Sequence, residues 1–333
     1  MDAFEIMLKN VIVFVLLAVP GWLLVKTKLL KTEQSGVLSK TLQYVGVPFL
    51  VVKSLMNVSL DQKLLSVIGI SALIAIVFTA ILYFLSFPLS KLEKGGADGE
   101  TGETASEENG KKNKARGMMQ FCMICANNGF LGIPLAEAVF GAQSLEVVSL
   151  VVVNIISLMF FNTFGVYLVS GDKSNIQVKK TLLNPALIAF VVGIAFNLLK
   201  VGAHLPEATT YVGQLSGLVT PLCMIILGMK LGDVPFKELF SSWKAYYVAA
   251  VKLVLVPVLA ATITLACYHL FSMPAEVVFG VFLGFGLPTA TLGIVFADNY
   301  GGDAKNGVIY TLSNTVLSVV TIPLLYWLIV ALL

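Results

Sequence analysis

The stretch Asn127-Asn128-Gly129-Phe130-Leu131-Gly132-Ile133-Pro134-Leu135 lies inside an apolar run, 117–140, long enough to cross a bilayer. A second interrupted run, GFGLPTATLGI at 284–294, lies far downstream. Adjacent asparagine amides are costly in hydrocarbon unless they line a cavity or find partners. Proline and several glycines together break a helix, and unwound backbone at membrane depth persists only where protein or water satisfies it. Both stretches therefore read as broken helices bordering an interior site.

Composition sets the context. Of 333 residues, 57% are hydrophobic and 12% charged, with a mean hydropathy of +0.90; soluble domains carry about 25% charged residues. The apolar excess must face lipid. A net charge of +3 with Arg116 as the single arginine offers no basic stripe, so nucleic acid is excluded as a partner. Cys122, Cys125, Cys223 and Cys267 all lie in apolar runs and read as small buried hydrophobes. Cys122 and Cys125 have knuckle spacing but no second pair, and His204 and His269 sit at segment ends, so no metal and no cofactor are expected. The start, MDAFE, is acidic where a signal peptide is basic, so the first apolar run reads as a retained span.

A window of about 20 apolar residues marks ten spans: 4–25, 37–58, 64–89, 117–140, 145–170, 184–203, 208–230, 243–270, 275–298 and 306–331. Segment 90–116 contains six acids, six bases and five glycines, and reads as a solvated loop between spans 1–3 (1–89) and spans 4–5 (117–170), with spans 6–10 filling 184–331. Of the 22 basic residues, 17 fall in the loops after odd-numbered spans or within four residues of them at the span ends. By the positive-inside rule those loops are cytoplasmic and both termini are outside, across a plasma membrane.

Breaks recur in order. Span 2 carries Pro48 in TLQYVGVPFLVV and span 7 carries Pro221 in QLSGLVTPLCMI; spans 4 and 9 carry the two stretches above. Five spans per half invert the second copy, as in transporters built from inverted repeats. Pro20, Pro257 and Pro323 read as ordinary kinks of membrane helices. Unwinding is expected over Asn127–Gly132 and Gly284–Leu287, with Pro134 and Pro288 each starting a new half-helix. Free N–H groups and partial positive charge at two such starts would attract an anion.

The substrate-binding candidates are therefore Asn127, Asn128, Gly129, Gly132, Pro134, Pro288, Thr289 and Thr291, with Asn154 and Asn314 in the equivalent spans 5 and 10. The last two either hydrogen-bond the unwound segments or hold helices together. Glu137 and Asp298 are the acids set in spans beyond the first turn; each is either a proton-coupling group or an interfacial residue. Lys53 and Lys252, the bases within spans, either snorkel to an interface or touch substrate. Gly193, Gly280 and Gly284 read as close-packing points.

Asn127 to Leu135, together with Leu287-Pro288-Thr289-Ala290-Thr291 and Phe296-Ala297-Asp298-Asn299-Tyr300-Gly301-Gly302, resembles the auxin efflux carrier family, which includes plant PIN-type exporters and bacterial malate permease-type members. The likeness extends to Asn184-Pro185 at span 6 and Pro221 in span 7. It implies an all-α membrane protein whose ten transmembrane helices form two inverted five-helix repeats, similar to sodium/proton antiporters and bile-acid symporters. Helices 4 and 9 would be broken and would cross. Spans 1, 2, 6 and 7 would form a scaffold, spans 3–5 and 8–10 a transport domain, and two copies would pair through the scaffold. The family's crossover asparagine falls on Asn127, its crossover proline on Pro288, and Thr289 stands where plant members have a polar residue. The short connection between spans 5 and 6 departs from the plant pattern and fits a microbial member, favouring a small organic carboxylate over auxin.

The expected function is secondary transport of such an anion by alternating access. The competing class is a cation/proton antiporter of the same broad fold, which would need deep carboxylates. An intramembrane enzyme is disfavoured, since no histidine lies deep in a span. The topology is open to direct test: a membrane-impermeant thiol reagent should label a cysteine placed at Glu207 from outside and spare one at Asn175. The reverse pattern would invert the assignment.

Overall fold

The computed structural model describes residues 3–93, 103–176 and 178–333. Within them the chain forms twelve principal helices: α1 (Ala3–Lys26), α2 (Thr32–Met56), α3 (Gln62–Leu89), α4 (Glu103–Ile124), α5 (Asn128–Phe140), α6 (Leu145–Ser170), α7 (Pro185–Leu198), α8 (Pro206–Asp233), α9 (Trp243–Phe271), α10 (Ala275–Gly286), α11 (Leu292–Tyr300) and α12 (Ala304–Leu332). No strand is present among the described residues beyond one isolated bridge. Seven helices (α1, α2, α3, α6, α8, α9 and α12) are long and apolar enough to cross a membrane, and α5, α7 and α10 are shorter apolar helices. Leu73, Phe84, Val191 and Leu270 are exposed on the outside, as lipid-facing residues require.

Prolines shape the local geometry. Proline lacks an N–H and crowds the carbonyl one turn back, and widening that turn to an i→i+5 repeat relieves the clash. Such widened turns at Leu42–Gly46, Asn128–Gly132 and Val251–Leu255 stand just before Pro48, Pro134 and Pro257. Pro20 and Pro323 are accommodated inside α1 and α12.

The packing has a regular pattern. Helix α1 packs on α8, and α2 on α7; α3 packs on α6, and α9 on α12; α6 packs on α10, and α4 on α12. Small residues allow the close approaches. A Cβ at Gly228 would overlap the backbone of Ala18 and Trp22, one at Gly21 the backbone of Ile225, and one at Gly280 the side chain of Ser149. Gly193 and Gly284 similarly admit Leu55 and Val153, so all three glycines expected to pack closely do so.

One expectation changes. The segment 90–116 was predicted as a loop, yet Ser90–Glu93 is a short 3-10 turn and the chain is helical from Glu103 onward as the first half of α4. The acid-before-base order of ETASEENGKKNKARG favours a helix despite its polarity. Residues 94–102 lie outside the described residues. Arg116 ties the helix to the end of α3 through Ser90 Oγ (3.0 Å) and the Phe87 carbonyl (2.9 Å).

Because Gly228 faces backbone rather than a yielding side chain, Gly228→Ala should lower the unfolding free energy by roughly 1–3 kcal/mol. Gly213, with open space around it, is the control. Thermal melting in detergent that fails to separate the two variants would contradict this packing.

Candidate functional site

The two broken stretches meet. Helix α4 ends at Ile124 and α5 begins at Asn128; α10 ends at Gly286 and α11 begins at Leu292. The intervening backbones pair antiparallel through the bridge between Ala126 and Thr289. The Asn127 N–H donates to the Pro288 carbonyl (2.8 Å), and the Ala290 N–H donates to the Cys125 carbonyl (3.0 Å). Proline has a carbonyl to offer and no N–H to leave stranded. It also drives the residue before it toward extended backbone, and Leu287 has φ −70° and ψ 156°.

Side chains complete the junction. Thr289 Oγ1, fully buried, donates to the Cys122 carbonyl (2.7 Å) and accepts from Asn314 Nδ2 (2.8 Å). Asn128 Nδ2 donates to Ser157 Oγ (3.4 Å). Lys252, also fully buried, donates through Nζ to the carbonyls of Ile124 (3.3 Å) and Phe285 (3.0 Å). These contacts satisfy groups that would otherwise be orphaned where the helices stop.

On another side of the junction is a cleft. Asn127, Asn128, Gly129 and Phe130 line it from the start of α5, and Ala290, Thr291 and Leu292 from the start of α11. Asn154, Leu158 and Phe161 of α6 form one wall; Gln43 and Val47 of α2 and Asn184 and Ala186 at the start of α7 form the other. Neither Asn127 nor Thr291 provides a side-chain cap for the helix it precedes. The first N–H groups of α5 and α11 therefore converge on one cavity, with their partial positive charge. No charged side chain lines it. Asn154 Nδ2 and Asn128 Oδ1 are buried without a partner, a costly state that a polar ligand would relieve.

Five of the ten expected binding residues line the cleft: Asn127, Asn128, Gly129, Thr291 and Asn154. The others do not. Thr289 and Asn314 bond each other within the junction, Pro288 contributes its carbonyl there, and Gly132 packs against Leu287. The half-helices start at Asn128 and Leu292 rather than at Pro134 and Pro288, because the paired non-helical segments take up residues 125–127 and 287–291. Pro134 therefore sits a turn into its helix and Pro288 before the start of its own. Unwinding accordingly falls at 125–127 rather than over Asn127–Gly132, since Asn128–Gly132 is a widened helical turn, and after Gly286 rather than from Gly284.

The charged candidates are resolved differently. Glu137 lies beyond the cleft on α5 and pairs with Lys53 of α2 at 3.3 Å, leaving Oε1 buried and unpartnered. Asp298 is exposed on α11 and within electrostatic reach of Lys230. Lys252 neither snorkels nor lines the cleft. Gln43 and Asn184 were missed as lining residues; each is a polar residue in or beside an apolar run, the same signal that marked Asn127. Cys122, Cys125 and Cys223 are buried free thiols and Cys267 is partly buried.

Thr289→Val removes a buried hydroxyl that both donates and accepts, leaving the Cys122 carbonyl and the Asn314 amide unsatisfied. A loss of about 1–3 kcal/mol of stability is expected, read as a lower melting temperature in detergent. Melting like the native chain would remove the hydroxyl from its structural role.

The family profile described as membrane transport protein matches residues 174–326. An uncharacterized transporter of Methanothermobacter thermautotrophicus is 27% identical over 321 residues, covering 95% of each chain. Together with the apolar helices, these matches mark the chain as a multi-pass membrane protein similar to membrane transport proteins.

Proposed function

We propose that this protein is a secondary transporter that carries a small organic carboxylate across the plasma membrane by alternating access. In this reading α4 with α5 and α10 with α11 are the fourth and ninth of ten spans, arranged as two inverted five-helix repeats. The recurring helix pairs support the repeat, since α1 on α8 and α2 on α7 exchange under it, as do α3 on α6 and α9 on α12. Helices α1, α2, α7 and α8 would form the scaffold and the remaining helices the moving domain, with two copies joined through the scaffold and both termini outside.

The observation that carries this function is the convergence of two uncapped helix starts on one cleft without charged walls. A carboxylate there would accept from the N–H groups at Gly129 and Leu292 and from Asn154 Nδ2, while Phe130 and Phe161 would enclose its organic part. A cation would meet positive helix ends and no carboxylate. The cleft also lies between the scaffold helices α2 and α7 and the moving helices α5, α6 and α11, where a sliding motion would change its access. Lys53 of α2 and Glu137 of α5 bridge the same two bodies, so this pair must part when they move.

A cation/proton antiporter is the second reading, and the buried unpartnered oxygen of Glu137 is the observation in its favour. Flux in proteoliposomes separates the two. Labelled mono- and dicarboxylates should accumulate, and Asn154→Leu or Asn127→Ala should cut that flux by about 10-fold or more, the cost of one hydrogen bond to a charged group. Because Asn154 Nδ2 has no protein partner, Asn154→Leu should melt close to the native chain. Sodium-driven proton movement that vanishes in Glu137→Gln, with no carboxylate flux, would instead establish the antiporter.

A further inference from the structure

Lys252 is the one buried charge at the junction for which anion binding has no use. It sits in the widened turn Val251–Leu255 of α9, with no exposed surface, and no carboxylate pairs with it among the described residues. Its two acceptors are the carbonyl of Ile124, the last residue of α4, and that of Phe285, the last but one of α10. The final carbonyls of a helix lack intrahelical donors and carry roughly half an elementary negative charge. Two such ends held together amount to about one negative charge, which a single ammonium neutralises. The buried thiols of Cys122 and Cys125 lie within electrostatic reach of it.

We propose that the Lys252 ammonium is the resident monovalent cation of the junction. It occupies the place that a bound sodium ion would otherwise take between two helix C-termini. It is a positioning residue: by holding Ile124 and Phe285 together it keeps the opposite ends, the starts of α5 and α11, aimed into the cleft. The junction thus has one pole whose counter-charge is covalently attached and another left open for a dissociable anion. The carrier then needs no metal cation at this place. That consequence rests on the transport function proposed above, whereas the assignment of the ammonium does not.

The test uses the full chain purified in detergent. Lys252→Ala deletes three methylenes and the ammonium, and n-propylammonium restores those same atoms. Melting is compared in choline, sodium and n-propylammonium chlorides at equal concentration. The native chain should melt alike in all three; Lys252→Ala should melt lower in choline and recover in n-propylammonium, in sodium, or in both. Equal destabilisation in every salt, or native-like melting in choline, overturns the proposal. Should the variant not survive purification in choline, solubilisation with n-propylammonium throughout should yield a monodisperse peak, and failure to do so also overturns it. A merely space-filling lysine would be replaced well by methionine, so Lys252→Met melting as high as the native chain in choline is a further refutation. In proteoliposomes, native carboxylate flux should be the same in sodium and choline media; a strict sodium requirement refutes the resident cation. Melting requires no substrate, so it decides the role of Lys252 even if the transported species is not a carboxylate.

Discussion

Backbone amides in a nonpolar interior must find partners, and the structure is organised around the place where two helices leave theirs unsatisfied. Interrupting α4–α5 and α10–α11 exposes carbonyls at two helix ends and N–H groups at two helix starts. Neither stretch could be broken alone at tolerable cost. Their extended residues satisfy one another through the two backbone hydrogen bonds linking Cys125–Asn127 to Pro288–Ala290. Thr289, Asn314 and Lys252 satisfy what remains on one side. On the other side, the helix starts and the unpartnered amide atoms of Asn128 and Asn154 border the cleft.

This separation turns a structural necessity into an electrostatic one. The carbonyl ends are neutralised by an attached ammonium, while the N–H ends face a cavity whose own side chains are uncharged. The field at the cleft therefore comes from peptide dipoles and oriented amides rather than from a lysine or arginine. A fixed side-chain charge would bind an anion more tightly, but it would also hinder release. Asn154 and Asn128, buried and each with an unpartnered atom, retain bonding capacity without fixed charge.

The surrounding helices keep this junction rigid by close approach. Gly21 and Gly228 bring α1 and α8 into backbone contact, and Gly280 and Gly284 let α10 close onto Ser149 and Val153 of α6. Without a hydrophobic driving force between helices in lipid, such contacts supply the association energy. The polar bonds among Ser71, Ser149, Thr289 and Asn314 lie within the same packed bodies. By contrast, the cleft and the Lys53–Glu137 pair lie where α2 meets α5, with few side chains interlocked across them.

Much of this was legible in the residues. Hydropathy marks the membrane helices because lipid penalises charge along a continuous run, and the paired Asn-Asn-Gly and Leu-Pro-Thr interruptions mark the breaks because nothing else accounts for polar and helix-breaking residues there. Asn127, Asn128, Gly129, Asn154 and Thr291 follow from that logic. The direction each side chain faces does not. Thr289 and Thr291 are two residues apart with the same chemistry and would share a face on extended backbone, yet Thr291 has already turned helical (φ −64°, ψ −15°), so one is held in the junction while the other borders the cleft. Lys252 has the same sequence context as a snorkelling lysine; only the meeting of α4 and α10, 128 residues and 33 residues away along the chain, creates the two carbonyl ends that hold it. Hydrophobicity and helix-breaking are local properties that the sequence alone determined; which unsatisfied groups meet is a matter of long-range pairing, and only the tertiary structure decided it.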